Sequence, residues 1–133
     1  MAIDIEDVLT EAQLAAEIGG TARLTDLLSR QEESGDGSLP VRERALADVL
    51  RDLSRRTPPI YENQISVPAD LRDAVTYNAL ERLYREAMTA EGDVYAVKRK
   101  LYERRYIDEV RALRPTLAGE LRGGAASFRM ERG

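Results

Sequence analysis

The longest stretch of helical periodicity lies between residues 66 and 90. Leu71, Ala74, Val75, Asn78, Ala79, Leu80, Leu83 and Ala87 recur every three to four positions and predict one broad buried face. Asp70, Arg72, Asp73, Glu81, Arg82, Arg85 and Glu86 fill the other side. Val67-Pro68 holds the chain extended, and Asp70 puts an acid in the first turn, where the helix dipole favours negative charge. A helix of about 20 residues is roughly 30 Å long. The remaining elements are expected to pack around it.

Ahead of this helix the pattern is shorter. Ile3, Ile5, Val8 and Leu9 precede a turn, and Thr10 or Asp7 caps a short helix over residues 11–18 that ends at Gly19-Gly20. Thr21 or Thr25 opens a second short segment through Leu24, Leu27 and Leu28, ending near Ser29. Residues 31–40 read as a loop around the turn pair Asp36-Gly37. Pro40 then suits the first turn of a helix reaching Arg56, with Val41, Ala45, Leu46, Val49, Leu50 and Leu53 as its stripe. Arg42, Glu43, Arg44, Asp48, Arg51 and Asp52 are expected around that stripe, and Thr57-Pro58-Pro59 stops the helix.

The next linker is long for a helical bundle. Its Ile60, Tyr61 and Ile65 either cover the end of the core or reach a neighbouring subunit. A last long helix is predicted over residues 93–114, stopped by Pro115. Val94, Val97, Leu101 and Val110 mark its apolar line, which Tyr95, Tyr102, Tyr106 and Ile107 widen and Leu113 closes. The chain changes character after Thr116, and Gly123-Gly124 uncouples the last nine residues from the helices. Phe128, the only Phe, stands there among Arg122, Arg129 and Arg132. These elements predict an all-α protein: four main helices, two of them long and antiparallel, with short N-terminal helices and an extended C-terminal arm. Residues 1–121 form the body and residues 122–133 the arm.

Composition narrows the chemistry. With 133 residues the chain is expected to fold as one domain. It has no Cys and no His, which closes disulfide, zinc-thiolate and cysteine-nucleophile readings and removes the usual neutral-pH base. No apolar run is long enough to span a membrane, and the start of the chain is acidic, unlike a secretory signal. A cytoplasmic or particle-associated protein is expected. Adjacent acids such as Glu32 with Glu33, or Asp108 with Glu109, diverge on a helix; Asp48 and Asp52 sit amid arginines. Glu32, Glu33, Asp36 and Ser38 lack the alternating ligands of a calcium loop, and no phosphate-cradling glycine motif is present. Catalysis, a metal and a cofactor are not expected.

Twenty basic against 24 acidic residues give a net charge of -4, unlike a protein whose main task is gripping phosphates. A local nucleic-acid face would have to come from Tyr95, Tyr102 and Tyr106 interleaved with Lys98, Arg99, Lys100, Arg104 and Arg105. Tyrosines at helical spacing more often pack at a core edge or a protein interface. Ile60, Tyr61, Tyr95, Tyr102 and Tyr106 are therefore the interface candidates.

The order of these pieces resembles the small head–tail connector (adaptor or head-completion) proteins of tailed bacteriophages and gene transfer agents. The residues concerned are Arg44-Ala45-Leu46-Ala47-Asp48-Val49-Leu50, then Val67-Pro68-Ala69-Asp70-Leu71-Arg72-Asp73-Ala74-Val75. Ala79-Leu80-Glu81-Arg82-Leu83-Tyr84 and Tyr106-Ile107-Asp108-Glu109-Val110 continue the likeness. It implies a virion protein at the head–tail interface, in a homo-oligomeric ring of about twelve copies under the portal. Such a ring extends the DNA channel without sequence-specific binding and seats a stopper or tail protein. The resemblance also implies that the C-terminal arm docks on the portal, giving Arg122, Phe128, Arg129 and Arg132 that role. A small helical DNA-binding regulator and a generic helical adaptor are the alternatives.

Overall fold

The computed structural model describes residues 2–30, 37–88 and 93–118. Among them five helices occur in order: α1 Glu11–Ile18, α2 Thr21–Leu28, α3 Leu39–Ser54, α4 Arg72–Ala87 and α5 Val94–Ala112. Single 3-10 turns at Ile5–Asp7, Glu62–Gln64 and Pro68–Leu71 connect them. The described residues contain no strand beyond one antiparallel bridge between Ile65 and Leu117, so the body is all-α as expected. Its proportions differ from expectation. Three helices are long, at 16, 16 and 19 residues: α3 starts at Leu39 and stops at Ser54, short of Arg56, and equals the shortened central helix in length. The central helix is shorter than its periodicity, because Pro68–Leu71 makes a tighter 3-10 turn before α4 begins. The arm carrying Arg122, Phe128, Arg129 and Arg132 lies outside the described residues.

Local chemistry explains the boundaries. Thr10 Oγ1 accepts from the Gln13 amide at 3.2 Å while Gln13 Oε1 accepts from the Thr10 amide at 2.9 Å, a reciprocal cap on α1. Gly19 ends that helix at φ 110°, a conformation that side chains with a Cβ rarely adopt. Asp93 Oδ1 starts α5 by accepting from the amides of Tyr95 and Ala96 at 2.5 and 3.3 Å. At the far end the Arg56 guanidinium donates to the carbonyls of Leu113 and Arg111, at 2.6 and 3.4 Å, supplying positive charge where the helix dipole is negative.

The core centres on α4, which touches α2, α3 and α5. Leu71, Ala74, Val75, Ala79, Leu80 and Leu83 are completely buried, all on the face that the periodicity predicts. The segment after α5 doubles back beneath the linker. The Ser66 amide donates to the Thr116 carbonyl at 2.9 Å, the Ala118 amide to Gln64 at 2.7 Å, and the Thr116 amide to Asp70 at 2.7 Å. Ile60 and Ile65 thereby help close the end of the core, while Tyr61 stays 52% exposed.

Polar groups hold the short N-terminal helices. Arg42, expected on the solvent side of α3, is buried instead. Its Nε donates to Ser38 Oγ at 2.8 Å, and its Nη1 donates to Glu6 at 2.5 Å and to the Leu9 carbonyl at 3.0 Å. Ser38, completely buried, donates its hydroxyl to Glu11 at 2.6 Å. That bond and the one from the Ser38 amide hold the Glu11 carboxyl below its ordinary pKa.

Replacing Arg42 with Met keeps the length but strands the Leu9 carbonyl and takes the guanidinium from Glu6, while the Ser38 hydroxyl keeps Glu11. A loss of about 2–3 kcal/mol in urea denaturation is expected. Val97→Ala, on an exposed helical surface, should change stability by less than about 0.5 kcal/mol. Comparable losses from the two would show that the buried guanidinium does not hold the fold.

Candidate interaction surface

Helix α5 has two apolar faces; the tyrosines pack at the core edge, and Val110 and Leu113 pack on the core, but the first part of the aliphatic line departs from expectation. Its first three members face solvent: Val94 is 64% exposed, Val97 61% and Leu101 40%, with Ile107 exposed on another flank. The tyrosines turn inward. Tyr102 is 7% exposed, while Tyr95 and Tyr106 are half-buried against the core. The physical reason lies on α4, where Tyr77 and Tyr84 offer rings at matching height. Tyr77 stacks with Tyr102 at 6.1 Å between centroids, and Tyr84 stacks with both Tyr102 and Tyr95 at 5.9 Å. Four large rings bury more area than three aliphatic side chains, and stacking adds to it. Arg105 lies over the Tyr102 ring and Arg30 over the Tyr95 ring, each at 5.4 Å.

The same seam carries ions. Glu81, expected on the solvent side of α4, is buried. It accepts from Arg85 one turn away and from Arg99 Nε of α5 at 3.0 Å. Asp48 of α3 meets Arg82 and Asn78 of α4 and Arg51 of its own helix. Farther along α5, the Tyr106 hydroxyl donates to Asp52 at 2.5 Å, tying α5 to α3. Burial, then the Asp52 bond, pushes the Tyr106 phenol far above its ordinary pKa of 10.0. Burial also raises Tyr84 and Tyr77, helped by Tyr102 and by Asp73 respectively.

The exposed line of α5 runs beside a groove of about 430 Å³ between α2 and α5. Ile18, Leu27, Tyr84 and Val94 give it an apolar lining, on which Arg23 and Lys98 put two cations and Asp26 one carboxylate. Lys98, Arg104 and Arg105 flank the Val94–Val97–Leu101 line, all of them exposed. Of the five interface candidates, Tyr61 is the exposed one; Ile60 is half-buried, and Tyr102 belongs to the core of its own chain. Tyr95 and Tyr106 retain partial exposure but serve the α4–α5 and α3–α5 contacts. Periodicity alone assigns the aliphatic line to the core. The signal that places it outside is the equal spacing of Tyr77 and Tyr84 on one helix and Tyr95 and Tyr102 on the other, which claims the inner face for the rings.

No known protein family, no curated protein and no solved structure matches this chain.

The raised phenols set an alkaline limit. Above pH 10 the folded state keeps protons that the unfolded state has released, so stability falls as pH rises past 10. Tyr106→Phe should remove the latest-ionising phenol from the ultraviolet titration. It should also flatten the decline of the urea midpoint between about pH 9 and 11. Loss of a phenol that titrates near pH 10 instead would place the Tyr106 hydroxyl in solvent.

Proposed function

We propose that this protein is a structural subunit of a head–tail connector. On this reading several copies form an adaptor ring between a portal and a stopper or tail protein, located in the virion at the head–tail interface. The observation that carries it is the outer face of α5: a long helix of an all-helical body that keeps Val94, Val97 and Leu101 in water. Lone exposed apolar residues are ordinary, but three along one helix beside an apolar groove favour a protein partner. The order of elements along the chain supports the same class. The DNA-binding alternative draws less support, since Tyr102 is inside and Tyr95 and Tyr106 are engaged with the core, leaving no row of exposed rings for bases among the described residues of α5. The role is non-enzymatic and needs no cofactor: DNA passes through the ring, and a net charge of -4 suits a channel that does not hold it.

The attachment to the portal is assigned to the arm, with Phe128 as the apolar anchor and Arg122, Arg129 and Arg132 around it. Phe128→Ala is expected to weaken docking by roughly 2 kcal/mol per subunit, multiplied around the ring. The decisive pair of measurements uses a chain ending at Leu121. Its melting temperature should stay within about one degree of the full chain, while co-sedimentation with portal-bearing, DNA-filled heads should be lost. Undiminished co-sedimentation would move docking to the helical body. A chain that binds no such heads at all, intact or truncated, would overturn the connector reading.

A further inference from the structure

We infer that the outer face of α5 docks on the outer face of α1 of a second copy of this chain. Two observations carry the pairing. The first is the Val94–Val97–Leu101 line with its neighbouring groove, an apolar surface flanked by Lys98, Arg104 and Arg105. Lys98 and Arg104 have no carboxylate partner among the described residues. Such a surface calls for a partner that is apolar in its middle and acidic at its edges.

The second is the opposite character of the start of the chain. Asp4, Glu6, Asp7, Glu11 and Glu17 all precede the first cation, Arg23; Glu6 and Glu11 are engaged by Arg42 and Ser38, and Asp4, Asp7 and Glu17 are the exposed acids left for a partner. Leu14, Ala15 and Ile18 turn α1 towards the core, which leaves Ala12, Gln13 and Ala16 on its outer side. Those small side chains let another helix approach closely, so that Val97 and Leu101 can seat between them. One chain cannot make this contact with itself, because the outer side of α1 points away from the body that carries α5. The chain's own residues 119–133 suit the face less well: they carry Arg122, Arg129 and Arg132 against Glu120 and Glu131, and the face is already basic.

Because the two patches differ, the contact is heterologous. Each copy offers α5 to one neighbour and α1 to the other, and the assembly continues until rotation closes it. The inference deepens the ring reading and draws on it only for closure; the contact itself needs no portal.

A chain without cysteine makes the test direct. Val97→Cys and Ala16→Cys proteins, differing in tag and checked for unchanged helicity, are mixed at high concentration and mildly oxidised. The mixed disulfide dimer should exceed both homodimers together. Lys98→Glu in the first protein should cut its yield several-fold, and Glu17→Lys in the second should restore it. A single chain carrying both cysteines should form a ladder of multimers. Dominant Val97→Cys homodimers would instead put α5 against α5, and a ladder that stops at dimer would make the contact isologous. A statistical mixture, or no cross-link in any combination, would give the face to another partner. Each of these overturns the pairing. Loss of the pairing with head attachment intact would leave the connector reading standing, and the reverse result would leave the contact without the ring.

Discussion

The register of α4 against α5 is the constraint on which the rest of the molecule depends. Tyr77 meets Tyr102, Glu81 meets Arg99 and Tyr84 meets Tyr95, so positions that rise along α4 fall along α5. These contacts share one antiparallel alignment. A slip of one residue turns each side chain by about 100° around its helix, which would part the rings and take Arg99 from the buried Glu81, leaving it Arg85 of its own helix. Stacking alone tolerates sliding, because every ring has a face to offer. The carboxylate does not. The directional bond from Arg99 to the buried Glu81 survives in one register alone, and it fixes the alignment that the rings then fill.

The remaining elements are positioned by that seam and by a few polar ties. Helices α1 and α2 have eight residues each, too short to persist alone. Leu14, Leu24 and Leu27 give them apolar footing. The orientation of α1 and the turn before it comes from directional bonds: Arg42 to Glu6 and Leu9, Ser38 to Glu11, and Arg72 to the Val8 carbonyl at 2.8 Å. The Arg42 guanidinium satisfies buried acceptors on two elements at once, a task that its planar fork suits better than an ammonium would. The linker is held the same way, with the Ile3 amide donating to Glu62 at 2.6 Å and Asp70 receiving the Thr116 amide.

Much of this is legible in the order of residues, and the failures share a cause. The face of α4 reads correctly because small and branched apolar residues cluster on one side, with Asn78 among them. At α1 the sequence leaves Thr10 or Asp7 as the cap and Gly19 as the end, and the local geometry of Thr10 and Gly19 takes both places. Periodicity fails on α5, where two faces are apolar: it can show that both exist but cannot rank them. The ranking depends on Tyr77 and Tyr84 of α4, which no pattern within α5 reveals. Arg42 and Glu81 read as solvent-facing for a related reason. A charged residue at the border of a stripe is buried only when partners arrive from elsewhere in the chain, and Ser38, Leu9 and Arg99 supply those partners. The arm is legible as composition alone, and its assignment rests there.

A helix with two apolar faces poses a solubility problem that the surrounding charge explains. Fully covering Val94, Val97 and Leu101 would yield at most roughly 5 kcal/mol, given about 1.5–3 kcal/mol for each side chain and their partial exposure at the start. Bringing two free proteins together costs about as much or more before any contact is counted. On the proposed reading, a pair meeting through this face alone is therefore short-lived, and Lys98, Arg104 and Arg105 keep like faces apart meanwhile. The balance changes when neighbours are already held side by side. Once each copy is anchored separately, much of the association cost has been met, and the same three side chains with their acidic counterparts act as an intramolecular contact. A face too weak to aggregate in solution and strong enough to close a templated ring is what an assembly built in order requires. The modest size of the aliphatic line is thus as much a part of the proposed role as its presence.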